Sequence, residues 1–431
     1  MISSLAASSW IPTLWSVVPF AVLLGLIAVL PLVSFTKHAW EKNWVKLCVI
    51  LTLGLPVAIY VAQHDRNLIV HAGIEFVQFI LLLAALFIVA SGIHIKGDLR
   101  ATPGRNAMML ASGYIMASVV GTMGASILMI YPLLRSNQER KHVRHTVVFF
   151  IFLVSNLGGL LTPLGDPPLF LGYLRGIEFF WFARNLWVYW LVSGIVLLAV
   201  YLVIDKYFYN KESNEDIAQD KEHVEPLMLI GLGNAVLMMV IVGSVIAVAS
   251  PWREVIFVIT IVISLVYSKL APIAKEARQK NNFEFGPIVE VAVVFAGIFM
   301  TMVPALQLLQ HSGSSLGVSE PAQYFWATGV FSSVLDNAPT FLVFMSMAES
   351  TTGSTSLPHL TAQSPDLVKA ISLGAVYMGA LTYIGNAPNF MIFAIAKRRG
   401  ISMPSFFGYI IWSVSILGVL FIIITFMLKF F

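Results

Sequence analysis

Two carboxylates stand in the most apolar surroundings this chain offers. Asp166 follows a run, His145 to Gly165, that holds no Asp, Glu, Lys or Arg, and it precedes Pro167 and Pro168. Asp336 lies between Val334-Leu335 and Phe341-Leu342, beside Asn337, Pro339 and Thr340. An acid in such surroundings is costly and is retained mainly for function, carrying a proton, holding a cation or pairing with a partner. For Asp336 the plain alternative is a cap on neighbouring backbone N–H groups, but Asn or Ser would cap without the charge. It therefore reads as the exchanging carboxylate. Asp166 sits in Gly-Asp-Pro-Pro, which is also an ordinary turn and helix N-cap, so a cap and a proton or cation carrier stay level for it. Its two prolines can open a new helix, where a missing N–H costs little.

Neutral oxygen donors surround these acids: Asn156, Thr162, Thr382, Asn386 and Asn389 near the two chain breaks, and Thr122, Ser126, Asn337 and Thr340 at two polar centres. Taken singly, each reads as a satisfier of backbone groups. Grouped, they suit Na⁺, a hard cation that prefers oxygen, with Asp336 and Asp166 as its charged ligands. Glu75 and Glu290 lie about a turn inside their apolar runs and read as boundary carboxylates or as a proton relay. Neither the polar centres nor the breaks contain Lys or Arg. An anionic substrate would lack a fixed counter-charge there, which favours cation exchange.

The elements that must position these residues are membrane helices. The 431 residues are 58% apolar and only 11% charged, with mean hydropathy +0.84, against about 25% charged in soluble domains. The single Cys48 excludes a disulfide framework and a cysteine-based metal site. The pI near 9.0 does not point to nucleic acid, because the basic residues fall between apolar runs. The segment MISSLAASSW lacks the positive start of a cleavable signal peptide. Spanning the bilayer takes roughly 20 apolar residues. Such runs lie near 14–34, 46–63, 71–95, 184–204, 226–249, 253–270, 286–310 and 403–428. Two more, 145–175 and 367–396, are broken in the middle by Gly, Pro and Asp or Asn. A further two, 106–134 and 321–348, carry the polar centres and could be spans or re-entrant hairpins.

Basic residues decide for hairpins. With ten spans and two hairpins, 20 of the 26 Lys and Arg fall on one side and 6 on the other, which makes the first side cytoplasmic. An internal repeat agrees. LTPLGDPPLF (161–170) and LTYIGNAPNF (381–390) match at five of ten positions, with Asp166 opposite Asn386. Glu75 and Glu290, and the two polar centres, recur at nearly the same offset. The sequence thus predicts an all-α polytopic membrane protein of two inverted five-span repeats, 1–204 and 226–431, joined by a cytoplasmic linker, 205–225. Inverted repeats with broken helices place a transporter's site at the midplane.

The motifs SNLGGLLTPLGDPP (155–168) and SVLDNAPTFLVF (333–344) resemble those of the ion transporter superfamily with a citrate transporter-like domain. That group includes NhaD-type sodium/proton antiporters, arsenite permeases, and citrate and dicarboxylate transporters. The resemblance covers about residues 70–430 and is nearest the NhaD-type and arsenite branches. It implies a secondary transporter, not an enzyme, working by an elevator-like movement of the hairpins and broken spans. The tip Asp336-Asn337-Ala338-Pro339-Thr340 matches the acidic hairpin of the NhaD-type branch. The first tip, Thr122 to Ser126, has no acid, and neither tip has the Ser-Asn-Thr motif of the dicarboxylate branch. The reading that follows is a Na⁺/H⁺ antiporter, with a Na⁺-coupled organic anion or arsenite carrier as the alternative. Its expected setting is a bacterial-type inner membrane with both termini extracytoplasmic. It needs no cofactor beyond the transported ions, and its expected partners are lipid, small ions and, as an open case, a second copy in a homodimer.

Overall fold

The computed structural model describes residues 10–430 apart from 32, 41 and 223, so the reading of residues 1–9 as lacking a signal peptide lies outside the described residues. The chain is 79% helical. In order, the elements are α1 (Val18–Val29), α2 (Ser34–Trp40), α3 (Asn43–His64), α4 (Arg66–Ser91), β1 (His94–Asp98), α5 (Pro103–Val120), α6 (Thr122–Arg135), α7 (Arg144–Leu153), α8 (Pro167–Leu174), α9 (Trp181–Tyr209) and α10 (Asn214–Glu222). There follow β2 (Glu225–Ile230), α11 (Leu232–Ala247), α12 (Trp252–Leu270), α13 (Pro272–Lys280), α14 (Gly286–Ser312), α15 (Pro321–Val334), α16 (Asn337–Thr352), α17 (Leu357–Gln363), α18 (Pro365–Met378), α19 (Ala387–Arg398) and α20 (Phe406–Phe430).

Among the described residues, six helical stretches are long and apolar enough to cross a membrane, or seven if α12 and α13, bent by 104°, count as one. This is a multi-pass membrane protein. Two expected runs are shorter than the sequence suggests. The run at 226–249 gives its start to β2, which pairs antiparallel with β1 (His94 opposite Ile230), leaving α11 as a 16-residue helix. The run at 14–34 ends as a helix at Val29.

Two packed groups emerge. α3, α4 and α14 pack together, with α1 against α3 and α14, and α11 and α12 against α4. In the second group α5 packs with α6 and α9, α15 with α18 and α20, and α16 with α8 and α18. The groups meet where α4 touches α6 and α8, and where α14 touches α16. Lipid tails are as apolar as leucine, so close approach of backbones, rather than the hydrophobic effect, holds such helices together. α15 and α18 form the most extensive pair. A Cβ added at Gly374 of α18 would stand 2.5 Å from the Phe325 carbonyl oxygen of α15, so Gly374→Ala would force them apart.

At the end of the bundle bearing β1 and β2, the stretch from Glu212 to α10 is tied down. Asp220 of α10 accepts the Ala101 N–H at 3.0 Å, and Glu212 accepts the Lys141 and His142 N–H groups at 3.1 and 2.9 Å. A buried network stands next to it: Asp205 accepts from Arg140 Nη2 at 2.6 Å and Tyr201 Oη at 3.0 Å, and bonds His145 Nε2 at 2.7 Å. α9 runs on to Tyr209, so it takes up the first residues of the expected linker.

Candidate functional site

Each chain break is built the same way. After α7 the chain makes one short 3₁₀ turn, Leu157–Leu161, and then an irregular loop to Asp166, where α8 begins. After α18 it makes a 3₁₀ turn, Gly379–Leu381, and a loop to Asn386, where α19 begins. Thr162 Oγ1 donates to the Ser118 carbonyl at 2.5 Å, and Thr382 Oγ1 donates to the Ser333 carbonyl at 2.5 Å. The loops close on glycine: a Cβ at Gly165 would overlap the Gly159 carbonyl, and one at Gly385 would stand 2.6 Å from the Gly379 carbonyl oxygen. Both threonine hydroxyl protons are thus committed to backbone carbonyls.

The two polar centres are turns between paired helices. α5 and α6 join at Gly121, whose φ of +83° is a left-handed conformation that only glycine adopts readily. α15 and α16 join at Leu335-Asp336. Asp336 Oδ1 accepts the Ala338 N–H at 3.0 Å, an N-cap on α16, and Thr340 Oγ1 bonds the Asp336 carbonyl at 2.9 Å. So Asp336 does make the cap that was its plain alternative.

Asp166 does not cap α8 with its side chain. It is 1% exposed and joins all four pieces. Its Oδ1 accepts from Thr122 Oγ1 at 3.0 Å and Asn386 Nδ2 at 3.1 Å, and its Oδ2 accepts from Asn337 Nδ2 at 2.6 Å. The residues that face each other in the internal alignment, Asp166 and Asn386, thus touch. The network continues outward: Asn386 Nδ2 reaches Asn156 Oδ1 at 3.2 Å, and Asn156 Nδ2 reaches Asn389 Oδ1 at 2.7 Å. Ser126 Oγ meets Ser155 Oγ at 2.9 Å, a partner the site reading had passed over. Asn337 Oδ1 is buried and, among the described residues, has no hydrogen-bond partner.

Four helices, α6, α8, α16 and α19, begin at these residues. Their N-terminal ends carry partial positive charge, which steadies carboxylates placed there. Asp336 and Asp166 face a common cavity of about 40 Å³, walled by Gly121 and Thr122 on one side and by Leu86 of α4 and Phe295 of α14 on the other.

Residues 9–430 match the protein family described as putative citrate transport. The chain belongs to this family. Among curated proteins none matches it. The family agrees with the citrate transporter-like domain that the paired motifs resemble, and it makes the protein a member of a transporter family. Glu75 and Glu290 lie apart from the four-way contact. Glu75 is bound by Arg175, through Nε at 3.1 Å and Nη2 at 3.0 Å, and Glu290 by Lys46 at 2.5 Å. Both acids have cationic partners, in keeping with boundary carboxylates, though the sequence did not say which cations.

Proposed function

We propose that this transporter exchanges Na⁺ for protons at Asp166, with Asp336 as the second charge of the site. The observation that carries the reading is the four-way contact at Asp166. A fully buried carboxylate there has amide and hydroxyl partners, and among the described residues Asn337 Oδ1 has no hydrogen-bond partner. A buried acceptor left unpaired is costly, and a cation would satisfy it. Oxygen donors of this kind suit Na⁺.

Competition supplies the coupling. Burial favours the protonated acid, while a bound cation favours the ionised one. Na⁺ and a proton therefore displace each other. Loaded with either, the site sheds charge; empty, it holds carboxylates that are expensive to carry through a low-dielectric region. The loaded unit moves and the empty one stays. The expected orientation puts the β1–β2 end on the cytoplasmic side.

A second reading has its own support. The family is described by citrate, and four helix N-termini can hold an anion. Against it, the cavity of about 40 Å³ has room for only a few waters, each needing roughly 10–15 Å³ on the same measure, and among the described residues the contacts of Asp166 include no cationic side chain. Proteoliposomes separate the two. A Na⁺ pulse should move protons outward from an acid-loaded lumen with no citrate present. Na⁺-dependent uptake of labelled citrate or succinate, without such proton movement, would establish the anion carrier instead.

A further inference from the structure

The two packed groups are bridged by polar contacts at the end of the bundle away from β1 and β2. Arg175 follows α8, the eight-residue helix that begins at Asp166. A short rigid helix of about two turns makes Arg175 travel with the site. Arg175 holds Glu75 of α4 in a two-point contact, the strongest form of ion pair at this kind of boundary. The pair is mostly screened from solvent, with side chains 21% and 16% exposed. Close by, Gln310 Nε2 of α14 donates to Glu349 Oε2 of α16 at 3.1 Å. Both contacts tie the group that carries the site to the group that does not.

The corresponding parts in the other half are arranged differently. Glu290, which matches Glu75, lies on α14 and is paired with Lys46 of α3, inside its own group. α19, which matches α8, ends in Lys397, Arg398 and Arg399. Among the described residues none of these three makes an ion pair, and Arg399 lies over the Tyr131 ring. α8 packs on α4, while α19 makes no comparable contact with α14. At the matching positions neither Glu290 nor the basic end of α19 makes an ion pair across the boundary; that end is joined through α6 instead, where Tyr131 Oη donates to the Asn281 carbonyl at 3.3 Å and Arg135 pairs with Glu225 at 3.2 Å.

We propose that Glu75–Arg175 and Gln310–Glu349 form a latch that closes the end away from β1 and β2, and that Glu290 exchanges Lys46 for the basic end of α19 to close the other end in the opposite state. The proposal rests on the alternating movement of the Proposed function, but not on which substrate is carried. Arg175 and Glu75 act here as positioning residues. They do not touch the site; they set which side of the membrane it faces.

The test reads side of access rather than flux. Ala387 is exposed at the cavity, so Ala387→Cys in a Cys48→Ser background reports it, with an impermeant thiol reagent applied to right-side-out and to inverted vesicles. Glu75→Gln and Arg175→Gln should each raise the fraction labelled from the extracytoplasmic side about fivefold, the effect of roughly 1 kcal/mol on a two-state equilibrium. Gln310→Leu should shift it the same way by less. The exchanged pair, Glu75→Arg with Arg175→Glu, should return it toward wild type, which a folding defect would not do. Glu290→Gln should shift labelling toward the cytoplasmic side. Labelling that changes side with Na⁺ but ignores Glu75→Gln and Arg175→Gln would overturn the latch alone. A shift by Glu290→Gln in the same direction as Glu75→Gln would overturn the exchange of partners. Labelling from one side in every variant and ion condition would overturn the alternation and the latch together.

Discussion

Asn337 Nδ2 meets Asp166 Oδ2 at 2.6 Å across 171 positions of sequence, and the other end of the same amide, Oδ1, is buried and, among the described residues, has no partner. In this orientation the amide donates to Asp166, an arrangement an ionised carboxylate accepts. A protonated Asp166 could donate to Oδ1 instead, after the amide flips. The contact is thus sensitive to the state of the acid, which is the property a proton-exchange site needs.

The first prediction concerns the two acids. Asp336 spends one oxygen on capping α16, a role Asn fills about as well as Asp, while Asp166 is the hub of the contact. Asp166→Asn should abolish Na⁺-driven proton flux in proteoliposomes. Asp336→Asn should keep a measurable part of it. This reverses the order expected from the sequence, which reads Asp336 as the exchanging acid. Near-wild-type flux in both variants would remove both acids from the mechanism.

Asn337→Ala tests the amide without touching a charge. It leaves Asp166 with Thr122 and Asn386 and removes an oxygen from the cation. Losing one such contact costs about 1.5 kcal/mol, so the Na⁺ concentration for half-maximal exchange should rise about tenfold, with the maximal rate changed less. A fall in maximal rate at unchanged half-saturation would mean that Asn337 serves the movement rather than binding.

Much of this was legible in the sequence. The breaks at 155–168 and 379–386 and the turns at Gly121 and Asp336 announce themselves by glycine, proline and polar residues inside apolar runs. Internal alignment placed Asp166 opposite Asn386, and the two touch. What could not be read was which acid spends its oxygens on capping, since Asp-Asn-Ala-Pro and Gly-Asp-Pro-Pro both look like caps. The cations were equally hidden. Arg175 and Lys46 lie far in sequence from Glu75 and Glu290, and only the packing of α8 on α4 and α14 on α3 brings them together. The β1–β2 pairing was missed because EPLMLI (225–230) is as apolar as the span it precedes.

A third prediction uses pH. Burial, and then the Glu139 carboxylate, push the Asp98 carboxyl of β1 up to about 6. The folded state therefore binds this proton more tightly than the unfolded chain, whose Asp pKa is about 3.9. Stability should rise as pH falls through 6 toward 4, because protonation relieves the buried charge. The melting midpoint in detergent should gain more between about pH 7.5 and 5.5 in wild type than in Asp98→Asn. Equal gains in the two would show that Asp98 contributes nothing to the pH dependence.

The network at Asp205 should matter to stability rather than to transport. Removing one partner of a buried ion pair typically costs about 3–5 kcal/mol, because the other charge is left alone. Arg140→Gln should therefore lower the melting midpoint sharply, while the surviving folded fraction keeps the wild-type Na⁺ dependence. An unchanged midpoint would mean that the Arg140–Asp205 contact is not holding the end of α9.

The central claim is that Na⁺ and a proton compete for Asp166. It is tested most directly by adding Na⁺ to purified protein in weakly buffered detergent solution and measuring the protons released. The account predicts release of about one proton per Na⁺ bound over the range where the empty site is protonated, and none from Asp166→Asn. Saturable Na⁺ binding with no proton release from the wild type would contradict it.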